Sequence, residues 1–241
     1  MNNRLAKAML LTMILMVLAL EIFLATGLPE GVVITYNETD NITPAAAAAI
    51  TTAGGSFTTM NLNVSQQNSR WKAYVGNVSG DLQLRDNNNY TIYDWDLVTV
   101  TGEVYASRSN DITWANIQCL TNATLLSEED FMNITTSAVD SINLTFNNTV
   151  HAGFWVGNKQ ITNSTCRAIA TYVNNQAQVA SETADFQEIL LDDTSNFVYS
   201  TILEQDQAGY DSGKTFDFQM ILAEDEYAST PTTYYFYAEL G

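Results

Sequence analysis

A mainly β, antiparallel β-sandwich is the fold class this sequence predicts, and three observations predict it. Short runs alternate apolar and polar residues with period 2, as in Met60-Asn-Leu-Asn-Val64 and Asp81-Leu-Gln-Leu-Arg85. Clusters of Asp, Asn and Gly separate those runs at short intervals, because these residues tolerate positive φ or bond their own backbone. Leu126 to Ile134 is the best helix candidate, with Ser127 and Asp130 spaced as in a capping box. Few helices, many short strands and frequent turns argue a sandwich, as one region or as two packed β modules.

The first element is an export signal. Arg4 and Lys7 precede an apolar run from Ala8 to Gly27, broken by Thr12, Glu21 and Thr26. Ala25 and Gly27 are small residues at the positions a signal peptidase reads, so residues 1–27 are expected to be a signal peptide cleaved after Gly27. The run also approaches the roughly 20 residues that span a bilayer, so an uncleaved anchor is the second reading. Lys7-Ala8-Met9-Leu10 resembles the processing site of archaeal type IV pilins, which gives a third. In the first two readings the rest of the chain is exported, and any membrane contact is through this N-terminal segment.

Residues 28–56 read as a surface lead-in with Pro29, Gly31, an alanine run from Ala45 to Ala49 and Gly54-Gly55. Residues 57–241 form the β region, with candidate modules at 57–125 and 136–241. Within it, strands are expected at Met60 to Val64, Asp81 to Arg85, Tyr90 to Trp95, Val98 to Ala106 and Ile112 to Leu120. Further strands follow at Ala138 to Phe146, Ala152 to Ile161, Ala168 to Val173, Phe186 to Leu191, Phe197 to Leu203, Thr215 to Leu222 and Thr233 to Leu240. An internal echo links two hairpins. Leu82-x-Leu84-x-Asp86-x-x-Asn89-Tyr90 matches Ile189-x-Leu191-x-Asp193-x-x-Asn196-Phe197, so Asp86 and Asp193 are expected in equivalent turns. In the last strand, Tyr234 and Phe236 share one face while Tyr235 and Tyr237 share the other, so both faces need cover.

The formal charge is −18 with no basic cluster, which argues against a nucleic-acid partner. Cys119 and Cys166 are the only cysteines, and an even pair in an exported chain predicts a disulfide. N-x-[ST] acceptors occur at Asn37, Asn41, Asn63, Asn77, Asn89, Asn122, Asn133, Asn143, Asn147 and Asn163, and none follows Asn163. An attached glycan is bulky and faces solvent, so residues 37–163 are expected to offer much outward surface.

The chemistry search yields little. His151 is the sole histidine, beside Phe154 and Trp155, and reads as a packing residue. Cys/His zinc lacks ligands. A carboxylate-based hydrolase needs two carboxyls at a set distance, and Asp94, Glu103 and Glu188 are nominees for it. No catalytic motif emerges, and the chain is read as not an enzyme. Calcium is the one cofactor left open, at oxygen-rich loops containing Asp86, Asp192 and Asp193, and Asp206 with Asp211. Each of these loops also reads simply as a turn. Trp71, Tyr74, Tyr93, Trp95, Trp114 and Trp155 are either sandwich core or a glycan-stacking platform.

Trp71-x-x-Tyr74-Val75-Gly76-Asn77-Val78-Ser79-Gly80, Tyr93-x-Trp95, Gly102-Glu103-Val104-Tyr105-Ala106-Ser107 and Asp217-Phe218-Gln219-Met220-Ile221 resemble uncharacterised secreted cell-surface proteins of archaea. The resemblance implies an archaeal envelope setting and supplies no active site. The expectation is an extracellular, self-associating structural glycoprotein of a filament, sheath or surface layer. A glycan- or solute-binding module is the alternative, and a pilin-like subunit or a hydrolase stands behind it.

Overall fold

A computed structural model describes residues 27–241; the apolar leader, and with it the choice among cleaved signal, anchor and pilin helix, lies outside the described residues. Among the described residues no helix is long and apolar enough to cross a membrane. The strands are β1 (Glu30–Gly31), β2 (Trp71–Gly76), β3 (Asp81–Arg85), β4 (Thr91–Asp96), β5 (Gly102–Ser107), β6 (Gln118–Cys119), β7 (Phe154–Val156), β8 (Lys159–Ile161) and β9 (Ala168–Ala170). They continue with β10 (Gln187–Asp192), β11 (Phe197–Ile202), β12 (Gln207–Ala208), β13 (Thr215–Phe216), β14 (Phe218–Ala223) and β15 (Tyr235–Leu240). Helix α1 is Asn122–Phe131 and the single-turn α2 is Ile142–Thr145. Every strand pair is antiparallel, so the chain is mainly β, as its alternation predicts.

The principal sheet runs β1-β15-β5-β11-β10, and β6 and β9 share the outer edge of β10 end to end. β10 and β11 are apolar on both faces, and both faces are covered. On one side Val104, Ala106, Leu190 and Tyr199 pack against Leu125 of α1, Ile142 of α2 and Met220 and Leu222 of β14. On the other, Tyr105, Ile189, Leu191 and Val198 meet Phe154, Val156 and Ile161 of the β7–β8 hairpin. Strands drawn from residues 57–125 and from 136–241 interleave here, since β5 lies between β11 and β15.

β14 pairs with β2 on one edge only. Its other edge is turned toward the principal sheet, whose side chains complete its hydrogen bonds. Ile221 N–H donates to Glu188 Oε2 at 2.9 Å, Thr201 Oγ1 to the Gln219 carbonyl at 3.1 Å, and Tyr234 Oη to the Ala223 carbonyl at 2.8 Å. Buried backbone groups must find partners, and these polar side chains replace a missing neighbouring strand.

Four expectations need correction. Met60 to Val64 alternates, yet it forms no strand because no described strand lies beside it; after β1, which lies in the expected lead-in, the next strand is β2, and Phe57 is exposed. The helix expected from Leu126 begins at Asn122. Thr121 is its cap, accepting Thr124 N–H at 3.3 Å, while Thr121 N–H donates to Asp192 at 2.7 Å, so Ser127 lies mid-helix. Ala138 to Phe146 is not a strand. Ser141 accepts Leu144 N–H and Glu129 accepts Asn143 N–H, which fixes a helical turn. Ile112 to Leu120 gives a 3-10 turn at Trp114–Asn116 and only the two residues of β6.

Candidate functional site

The disulfide lies where the sheet most needs it. Cys119 in β6 and Cys166 just before β9 are bonded, with Cα atoms 4.9 Å apart. Each of those short strands pairs with only part of β10, and the bond ties them together along its edge. Closing a loop of this length contributes about 4 kcal/mol in the chain-entropy account. His151 fixes the same place. Its Nε2 accepts N–H bonds from Thr165 at 3.1 Å and Cys166 at 2.9 Å, so the ring proton is on Nδ1, 2.6 Å from the Ala152 carbonyl. Burial lowers its pKa.

Of the five aspartates nominated for calcium, Asp86, Asp193, Asp206 and Asp211 lie at turns or bends, and Asp192 is the last residue of β10. Asp86 accepts N–H bonds from Asn88 and Tyr90 between β3 and β4. Asp193 accepts from Ser195, Asn196 and Thr113 between β10 and β11, so the echoed turns are indeed equivalent. Asp192 accepts from Thr121, Thr194 and the Gln118 amide. Burial alone would raise both the Asp192 and Asp193 carboxyls, but these hydrogen bonds outweigh it and hold them below the usual range. Asp206 N–H donates to Asp217, and Asp211 pairs with Lys214 at 2.9 Å. Among the described residues no three His, Cys, Asp or Glu side chains group as a metal shell.

The hydrolase nominees do not meet. Glu188 lies under β14, Glu103 lies on the opposite face of the sheet, and Asp94 is exposed on β4. Glu103 instead faces Glu239, directly across from it between β5 and β15. Tyr105 Oη lies 3.5 Å from Glu103 and 3.4 Å from Glu239, and Gly157 N–H donates to both Glu239 oxygens at 2.9 Å. Gly102 permits the close approach, because its φ is +120° and a Cβ there would fall 2.0 Å from the Glu239 carbonyl oxygen. Burial, with the Glu239 carboxyl beside it, pushes Glu103 up to about 8. Burial also raises Glu239, against its bonds from Gly157 and Tyr105, and holds Glu188 well above the usual range. A cleft of about 340 Å³ beside the pair is lined by Phe154, Trp155 and Leu203. The Glu239 partner could not be read from the sequence, since only the strand register brings it opposite Glu103.

Three of the six nominated aromatics, Trp71, Tyr74 and Trp114, pack against the core, while Tyr93, Trp95 and Trp155 are exposed. Trp71 lies 6.1 Å from Phe146, Tyr74 5.0 Å from Phe236, and Trp114 5.1 Å from Tyr105 and 5.2 Å from Tyr237. Phe236 and Tyr237 therefore pack on opposite faces of β15, while Tyr234 is buried and Tyr235 is half-exposed.

Two regions leave large apolar side chains in water. The β3–β4 hairpin brings Leu82 opposite Trp95 and Leu84 opposite Tyr93, so these four share one face, with the Tyr93 and Trp95 rings 4.9 Å apart. Every residue of both strands is exposed. The second region is residues 33–69, an arm without strand or helix, exposed throughout and ending at the partly covered Arg70. It carries Val33, Ile34, Tyr36, Phe57, Leu62 and Val64, with Phe57 95% exposed. Nine of the ten sequon asparagines are exposed, and Asn143 is half-buried.

Compared with family models, curated proteins and solved structures, the chain matches none.

Proposed function

We propose that this chain is an extracellular structural glycoprotein that assembles with copies of itself into a filament, sheath or surface layer. The observation that carries the reading is the apolar surface left bare by a single copy. Extended exposed patches of this kind mark interaction surfaces, and a two-stranded hairpin is only marginally stable until something covers it. The disulfide between β6 and β9 supports an oxidising, exported location. Five exposed sequons, Asn77, Asn122, Asn133, Asn147 and Asn163, lie outside those two regions and leave room for glycans there. Calcium has no assigned role in this reading.

The test is the size of the native protein. Electron microscopy of envelope extracts, with light scattering of the purified chain over a wide concentration range, is expected to show polymers. A monomer at every concentration overturns the reading. In that case the Leu82, Leu84, Tyr93 and Trp95 face favours the glycan-binding alternative, because adjacent aromatic rings on an open surface suit stacking against sugars. Glycan binding by a strict monomer would establish it.

A further inference from the structure

We infer that residues 57–64 of one copy add as a strand to the outer edge of β2 in a second copy. This rests on the self-assembly proposed above and names the contact that would build it.

The acceptor follows from the alternation of an antiparallel ladder. Glu224 N–H donates to the Arg70 carbonyl at 2.8 Å, and Leu222 faces Lys72 and Met220 faces Tyr74 in the same register. Hydrogen-bonded and non-bonded pairs alternate, so the backbone groups of Trp71, Ala73 and Val75 point away from β14. Across the ladder, the groups of Gln219, Ile221 and Ala223 also point away from β2, which is why side chains of the principal sheet satisfy them. Nothing does this for β2. Among the described residues, none bonds the outward N–H and C=O groups of Ala73 and Val75, both of which are exposed. β2 is therefore an open edge of full strand length.

The donor is the part of the arm that already has strand chemistry. Met60, Leu62 and Val64 alternate with Asn61 and Asn63, and all five are exposed and lie outside any strand or helix. No charged residue lies between Asp40 and Arg70, in a protein whose formal charge is −18. Two copies repel each other through most of their surface, and this stretch approaches a neighbour without adding to that repulsion. Strand addition supplies main-chain hydrogen bonds and buries alternate side chains.

The root of the arm is what favours a second copy over the chain's own β2. Arg70 forms ion pairs with Asp140 and Glu226, each at 2.8 Å. Asn68 Nδ2 donates to Asp140 at 3.0 Å, and Ser69 Oγ donates to Glu226 at 3.1 Å. Asn68 also accepts Arg70 N–H at 2.8 Å. Three consecutive residues are thus clamped where the arm meets β2, and every residue before them back to Val33 is exposed.

The test uses two half-dead variants of the full exported chain. Ala73→Pro removes an N–H that β14 does not use, so it blocks the acceptor edge and leaves the donor intact. Asn61→Pro with Leu62→Pro blocks the donor in either register and lies outside the packed structure. Each variant alone is expected to sediment as a monomer, and an equimolar mixture as a dimer that grows no further. If the doubly substituted arm still polymerises like the parent, the strand-addition inference is overturned while self-assembly stands. If the unsubstituted chain is itself monomeric, the functional reading fails first. Should Ala73→Pro not fold, hydrogen exchange decides: the Ala73 and Val75 amides are expected to be slow in parent polymers and fast in the arm variant. Equal exchange in the two overturns the inference.

Discussion

Two hairpins with the same sequence signature end in opposite environments. β3–β4 and β10–β11 both place an Asp at the turn whose carboxylate accepts backbone N–H bonds from residues two to four positions on. Yet β10 is buried at every position, and β3 and β4 are exposed at every position. The difference lies in the faces. Ile189-Leu-Leu191 is apolar on both sides and is covered on both. Leu82-Gln-Leu84 is apolar on one side only, and the other side of the hairpin is mostly polar, with Asp81, Gln83, Asp94 and Asp96 beside the lone Ile92. Local turn chemistry builds a hairpin; two apolar faces put it inside the chain, and one apolar face leaves it at the surface.

The comparison can be broken by substitution, most severely at the centre. Leu190→Ala is expected to destabilise the monomer by about 2–5 kcal/mol, the range for a fully buried leucine. Leu84→Ala is expected to fall within about 0.5 kcal/mol in the same denaturant titration, as exposed substitutions do. A large loss from Leu84→Ala would mean that the outer hairpin already packs within the monomer. Replacing both Cys119 and Cys166 with Ser is expected to cost about 4 kcal/mol, because the buried sheet loses the tie along its edge. Denaturant midpoints of the oxidised parent and the double variant check it.

The turns sharpen the same contrast. Asp193 is buried and accepts four N–H bonds, including one from the Asn196 side chain. Asp193→Ala strands those donors and is expected to cost about 3 kcal/mol. Asp86→Ala is expected to cost under about 1 kcal/mol, since water replaces the lost acceptor. Equal losses at the two turns, read by thermal unfolding, would remove the distinction.

A smaller effect separates the regions by pH. Glu103 has a folded pKa of about 8, above its unfolded value. The folded state therefore binds the proton more tightly. Its contribution is fully present below the unfolded value and is lost as pH rises from about 4.5 to about 8. Glu188 and Glu239 are raised and act in the same direction. His151 is lowered and acts oppositely, with its contribution lost as pH falls through the folded pKa. Between the unfolded histidine value and about 8, melting temperature is thus expected to fall as pH rises, and Glu103→Gln to flatten that fall. An unchanged slope in the variant would contradict the assignment to Glu103.

Much of the fold was legible because its signals are local. Alternation, the Asp turns and the even cysteine pair placed most strands, both echoed hairpins and the disulfide. What was hidden depends on contacts distant in sequence. Asp192 holds the Thr121 N–H, which moves the start of α1 ahead of Ser127. The β2–β14 ladder joins residues near opposite ends of the chain. Glu103 could be singled out as a carboxylate, but not matched with Glu239, because strand register has no sequence signal here. Alternation at Met60 to Val64 predicts a strand of the sandwich, but alternation alone shows only that a segment can become one.

Hydrogen exchange of the two hairpins, in native assemblies and in dissociated monomer, tests the central claim most directly. β10–β11 amides are expected to exchange slowly in both states, because single-copy packing protects them. β3–β4 amides are expected to be fast in the monomer and slow in the assembly, where another copy covers their apolar face. Equally fast exchange of β3–β4 in both states would contradict the account.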